Sequence, residues 1–212
     1  MGDVVRTKTW RLGLAPLLLA LACDSAPADE RIELEARTLV GTVEGTDLAL
    51  GVLLDDDTID IYQCGGEQTF DTHSYWFRGV IGAGEDPNAF EIEREGFTVV
   101  GVRTAEGLEG ELVEPDGTRH PFHTDPIADE DVPGVYVAEH DGRTTGVIVR
   151  QDGDTLVAQG SSCTSTQPRR CDQVIILAPL TVESGQIDVQ VETDNEALSV
   201  AVARTLIVPD WL

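Results

Sequence analysis

Lysine is almost missing from this chain: Lys8 is the single one in 212 residues. Schiff-base chemistry needs a lysine amine, and so does a lysine base or phosphate clamp. Everything after Lys8 is barred from those reactions. The cation deficit is general, with 14 Lys and Arg against 39 Asp and Glu and a formal charge of −25 at pH 7. Phosphate backbones are bound by clustered cations, so nucleic acid is excluded as a partner. No apolar run reaches the roughly 20 residues that a helix needs to cross a bilayer. No helical pattern is found from Ile32 onward, and the H-E-x-x-H and G-x-S-x-G signatures are missing too. The residues point to no cofactor, no metal and no assignable catalytic group.

What is present begins at the N-terminus. Arg6, Lys8 and Arg11 precede an apolar segment from Leu12 to Ala22, which stops at Cys23. A positive n-region and a short h-region are the layout of a secretory signal peptide. Ala22 directly before Cys23, with Leu19, Ala20 and Leu21 ahead of it, resembles the lipobox of bacterial lipoproteins. The family's usual leucine three positions before the cysteine is Ala20 here. The resemblance implies that residues 1–22 are a signal peptide and that the Cys23 thiol carries a diacylglyceryl group. Palmitate is the expected acyl chain. Residues 23–31 are then an acidic spacer on a protein anchored in the bacterial membrane or envelope, facing the periplasm or exterior. An ordinary leader cut nearby, leaving Cys23 as a structural thiol, stays open. Each buried methylene contributes about 0.8 kcal/mol, so two or more chains anchor stably where one does not.

Cleavage before Cys23 removes three positive charges and one negative one, shifting the formal charge from −25 to −27. Such a domain is repelled by anionic lipid headgroups, which leaves the lipid as its attachment and a basic protein as its expected partner. Plain solubility is the other reading of the charge. Cys64, Cys163 and Cys171 remain, in an oxidising compartment where disulfides persist. Cys163 and Cys171 flank "TSTQPRR", a turn-like loop, and are the expected pair. Closing so short a loop contributes roughly 2.5 kcal/mol by the chain-entropy formula. Pairing of Cys64 with either one stays open.

The remainder alternates with period 2, the mark of half-buried strands. In "FEIERE", Phe90 and Ile92 oppose Glu91, Glu93 and Glu95. Leu108 and Leu112 oppose Glu109 and Glu111. In "QIDVQVE" and "ALSVAVAR", Ile187, Val189, Val191, Leu198, Val200 and Val202 make the apolar faces. Asp116-Gly117, Asp141-Gly142 and Asp152-Gly153 are strong hairpin signals between apolar segments. Gly65-Gly66 and Ser184-Gly185 add further breaks. The pattern predicts an all-β fold, an antiparallel meander forming a barrel or sandwich. "GVLLDDDTIDIYQCGG" and "GVIVRQDGDTLVAQGSSC" share a strand, an Asp-rich turn and a second strand ending near a cysteine. They suggest two related β modules, residues 32–127 and 134–212, joined by the acidic stretch "ADEDVPG". One continuous domain remains the alternative.

Three local groups invite a chemical reading. On a strand, His120 and Phe122 point one way while His123 and Asp125 point the other, which disfavours a metal site within "RHPFHTDP". Asp55, Asp56, Asp57 and Asp60 could ligate calcium but lack EF-hand spacing, so a solvated turn explains them. "SYWFRG" holds Tyr75, Trp76 and Phe77, either core packing or an aromatic wall facing a ligand. On alternation, Tyr75 and Phe77 share one face and Trp76 and Arg78 the other.

"GTVEGTDLALGVLLDDDTIDIYQCGG", "YWFRG", "PDG" and "GVYVAEHDG" together resemble secreted or tethered bacterial β-domains of unassigned function. The shared marks are Tyr62, Cys64 and Gly66; Trp76, Phe77 and Gly79; and Gly134 and Tyr136. This resemblance covers residues 40–155 and implies architecture and compartment. Tyr62-x-Cys64 on a small acidic β-lipoprotein is also similar to membrane-bound lysozyme inhibitors, whose Ser-Gly-x-x-Tyr stretch is missing here. The expected function is a membrane-tethered, non-enzymatic binding or interaction module. A carboxylate-dependent envelope hydrolase, or an inhibitor of a basic enzyme such as lysozyme, is the alternative.

Overall fold

In the computed structural model, the structure describes residues 30–166, 168–176, 180–193 and 197–206; Cys23 and the leader lie outside them. All regular structure among the described residues is β. The first eight strands are β1 (Thr38–Val43), β2 (Ala49–Asp55), β3 (Thr58–Cys64) and β4 (Tyr75–Val80), then β5 (Ala89–Arg94), β6 (Phe97–Thr104), β7 (Gly107–Val113) and β8 (Arg119–Ile127). They form one antiparallel sheet in the order β4-β3-β2-β1-β8-β7-β6-β5. The ladder from Thr38↔Ile127 to Val43↔Phe122 joins first strand to last. The sheet therefore curls into a nearly closed barrel, with its seam between β4 and β5.

The seam has no strand ladder but is bridged. The Gly82 N–H donates to the Ala89 carbonyl at 2.8 Å, and an Arg94 Nη1–H donates to the Trp76 carbonyl.

The second unit comprises β9 (Gly134–His140), β10 (Arg143–Asp152), β11 (Thr155–Thr164), β12 (Cys171–Ile176), β13 (Gln186–Glu192) and β14 (Ala197–Arg204). It closes completely, in the order β10-β11-β12-β13-β14-β9. Residues 128–133 connect the two units. The Arg204 guanidinium holds this connection by donating to the carbonyls of Ala128, Asp129 and Asp131.

The alternation in the sequence is the alternation in the barrels. Phe90 and Ile92 are buried while Glu91 and Glu93 face water, and Leu108 and Leu112 point inward. Glu95 faces water as well, in the turn it makes with Gly96 at φ 52° and 83°. At Asp141-Gly142 both residues have positive φ between the paired His140 and Arg143, as a type I′ hairpin turn requires. One core fills the first barrel, around Leu39, Ile61, Phe77 and Leu112. Another fills the second, around Tyr136, Val147, Ile187 and Val202.

A third core lies between the barrels. Val40, Ala49, Leu53, Tyr62 and Trp76, from the outer face of the first, pack on Val135, Val137 and Ile148 of the second. This explains why β2 and most of β3 are buried on both faces. The two sequence segments that resemble each other are the β2–β3 and β10–β11 hairpins, and they meet here. Each gives the other a glycine socket. A Cβ on Gly51 would lie 2.5 Å from Val135 Cγ2 and 3.1 Å from Ile148 Cγ1. A Cβ on Gly146 would lie 2.7 Å from the Tyr62 ring.

The sockets generate a test. Gly146→Ala drives a methyl into a ring that cannot retreat, and overpacking of this kind costs about 1–3 kcal/mol. Urea unfolding should show a lowered midpoint for Gly146→Ala. Gly84→Ala, with open space around it, should leave the midpoint unchanged.

Candidate functional site

Where the two barrels meet, a cleft of about 180 Å³ opens beside the β4–β5 seam. One wall is aromatic. Tyr62 on β3 and Trp76 on β4 are ladder partners, and their side chains stack with ring centroids 4.6 Å apart and planes inclined by 18°. The Tyr62 hydroxyl crosses to the second barrel, where it donates to the Gly146 carbonyl at 3.1 Å and accepts from the Ser161 N–H at 3.2 Å. It also lies 2.9 Å from Ser161 Oγ. Complete burial pushes its pKa well above the ordinary phenol value.

Thr144, Ser161, Cys163, Thr164 and Ser165 supply the opposite, hydroxyl-rich wall. Cys163 stands directly across from Cys171 in the β11–β12 ladder, at disulfide distance with S–S 2.13 Å. The intervening loop carries Arg169. Its guanidinium sits 4.5 Å above the Tyr75 ring centre, an arrangement that attracts the cation to the ring face. Arg169 also donates to the Ser74 carbonyl of the first barrel. Burial lowers its pKa from the usual guanidinium range. Arg94 and Glu95 complete the mouth at the β5–β6 turn. Cys64 lies below this wall, buried and outside any disulfide, its thiol pushed up to about 11 chiefly by desolvation.

The candidate residues separate accordingly. Tyr75 and Trp76 line the cleft, while Phe77 points into the first barrel, where it is fully buried. Cys163 and Cys171 frame the second wall and its loop. His120 lies 3.0 Å from Glu114, with His73 3.7 Å from the same carboxylate, whereas His123 faces outward beside Asp125. Among the described residues no group of three or more His, Cys, Asp or Glu side chains is arranged so that it could hold a metal ion. The acidic run also divides. Asp56 and Asp57 make the β2–β3 turn, and Asp60 pairs with Arg78 at 2.7 Å on the barrel's outer face.

Ser161, Arg94 and Arg169 are not marked by sequence reasoning, and Tyr62 enters it only through the two resemblances, with no place in a site. The continuous apolar run "LALGVLL" was the available signal for Tyr62, because a strand buried on both faces implies a second layer over it. Against models of known protein families, and against curated proteins, the chain finds no match.

Two measurements follow. Tyr62→Phe removes the hydroxyl that partners Gly146 and Ser161, and stranding such buried groups costs about 1–3 kcal/mol. A chemical denaturation curve should show that loss. Asp60 gives a pH signature, since burial raises its pKa more than Arg78 lowers it. Folding thus favours the protonated acid, and its contribution to stability declines as pH rises from the unfolded to the folded pKa. The stability of the native protein relative to Asp60→Asn should fall across that interval. Urea titrations at a series of acidic pH values will measure the difference.

Proposed function

We propose that this chain is a membrane-tethered, non-enzymatic interaction module of the bacterial envelope, and that it engages its partner through the cleft between its barrels. The lipobox-like segment ending at Cys23 supports the tether and the compartment. The lining of the cleft carries the functional reading. In a chain of charge −25, two arginines, three aromatic rings and a row of hydroxyls meet there, with Glu95 the one carboxylate among the described lining residues. Recognition sites combine an apolar body with a few convergent polar groups in this way. A retaining or inverting glycosidase instead needs two carboxylates facing one cleft.

Size narrows the occupant. At about 180 Å³ the cleft is below the ~300–1,000 Å³ typical of small-molecule pockets. That suits one side-chain-sized group bearing a carboxylate, directed toward Arg94 and Arg169 at the mouth. The surrounding acidic surface steers a partner whose face is basic overall, and salt screens that attraction over about 8 Å under physiological conditions.

A photo-reactive residue at Ser165 tests the cleft in intact envelopes. A specific adduct is expected there, diminished by Arg94→Ala and not formed from a probe at Glu91 on the outer face of β5. Equal labelling from both probes, or none from Ser165, sinks the reading. Cys23→Ala should move the protein out of the membrane fraction.

A further inference from the structure

A second cavity lies at the end of the first barrel that holds the β2–β3 turn. Residues 31–37 cross this end as a strap. The Ile32 N–H donates to Asn88 Oδ1 at 2.8 Å, and the Leu54 N–H donates to the Arg37 carbonyl at 2.8 Å. Arg31 pairs with Asp57 Oδ2, also at 2.8 Å. Between strap, turn and barrel is a space of about 300 Å³. Its volume falls at the lower edge of the range for small-molecule sites, ~300–1,000 Å³.

Arg103 lines this cavity. It follows Phe97, Val99 and Gly101 on the inward face of β6, and its side chain is only 3% exposed. Its Nη1 lies 3.5 Å from the Asp56 carbonyl, at the limit of hydrogen bonding. Its Nη2 forms a long ion pair with Asp57 Oδ1 at 3.7 Å, beyond hydrogen-bonding distance, and neither Nε nor Nη2 has a hydrogen-bond partner. Buried guanidinium donors are costly to leave unmatched, and their planar fork fits a carboxylate. The rim is predominantly acidic: Glu33, Glu35, Asp55 and Asp56 are exposed carboxylates around the opening, beside exposed Arg37 and the Asp57-paired Arg31. Leu34, Ala36 and Leu54 contribute apolar surface.

These three features select a ligand class. A simple anion meets a rim in which carboxylates outnumber guanidiniums before it reaches Arg103. A simple cation is held at the rim and leaves the deep donors unmatched. A molecule bearing both charges on adjacent atoms satisfies both. We propose that this cavity is a binding site for a small zwitterion of the α-amino-acid type. The carboxylate lies on Arg103, the ammonium faces the rim, and an aliphatic side chain rests on Leu34 and Leu54. The site is separate from the cleft between the barrels and does not depend on its occupant.

Titration calorimetry of the full chain at low ionic strength tests this with three probes of one carbon skeleton: L-valine, isovalerate and isobutylamine. Valine should bind, with each singly charged analogue at least tenfold weaker. Arg103→Met should lower valine affinity tenfold or more, while Glu91→Gln on the outer face of β5 changes nothing. Should Arg103→Met fail to fold, the paired change Asp55→Asn and Asp56→Asn decides the matter. Both positions are exposed, and asparagine tolerates the positive φ at Asp56. That variant should weaken valine and strengthen isovalerate. No valine binding, equal binding of an analogue, or an unchanged preference in the turn variant overturns the proposal.

Discussion

The hydroxyl of Tyr62 sits 84 residues in sequence from the carbonyl it bonds, and the interface between the barrels is organised around that crossing. For the ring to reach, position 146 must have no side chain, and for Ile148 and Val135 to return the contact, position 51 must have none either. Two hairpins are thereby locked in one relative placement. Stacking on Trp76 fixes the tyrosine ring, and the Trp76 carbonyl is in turn held by Arg94 across the seam. The wall of the cleft is thus part of the joint itself. Its aromatic face is as rigid as the barrel packing behind it.

Much of the architecture was legible because strands write their burial with period 2. Phe90/Ile92 and Ile187/Val189/Val191 face inward as their spacing predicts, and Asp141-Gly142 turns where its chemistry says it should. The cleft was legible only in part. Alternation assigns Trp76 and Phe77 to opposite faces, but it is silent about which of the two faces meets another unit. Arg94 ends β5 and Arg169 lies in a loop, and no periodicity links them. Arg103 was hidden for another reason: it occupies an inward position in "FTVVGVRT", where the pattern calls for an apolar residue.

The near-absence of lysine gains meaning from what the arginines do. Arg94, Arg143, Arg169 and Arg204 each donate to main-chain carbonyls, and Arg204 gathers three at once. A guanidinium offers five donors in a fixed plane, whereas an ammonium offers three on a flexible stem. Four of the eleven arginines among the described residues thus act as clasps on the main chain. Most carboxylates among the described residues face solvent, and the net charge is mostly a property of the surface.

The ladder that closes the first barrel joins its first strand to its last, with Thr38 opposite Ile127. A chain emerging from its N-terminus must therefore produce all eight strands before β1 finds its second neighbour. Contacts so distant in sequence are slow to form, because the intervening loop must be closed before they contribute anything. Until then β1 presents an open edge, the kind of strand that pairs with the wrong molecule. The β4–β5 seam, between sequence neighbours, leaves the later strands free to assemble before that closure. Assembly of this barrel is thus a race between completion of the chain and capture of its oldest edge.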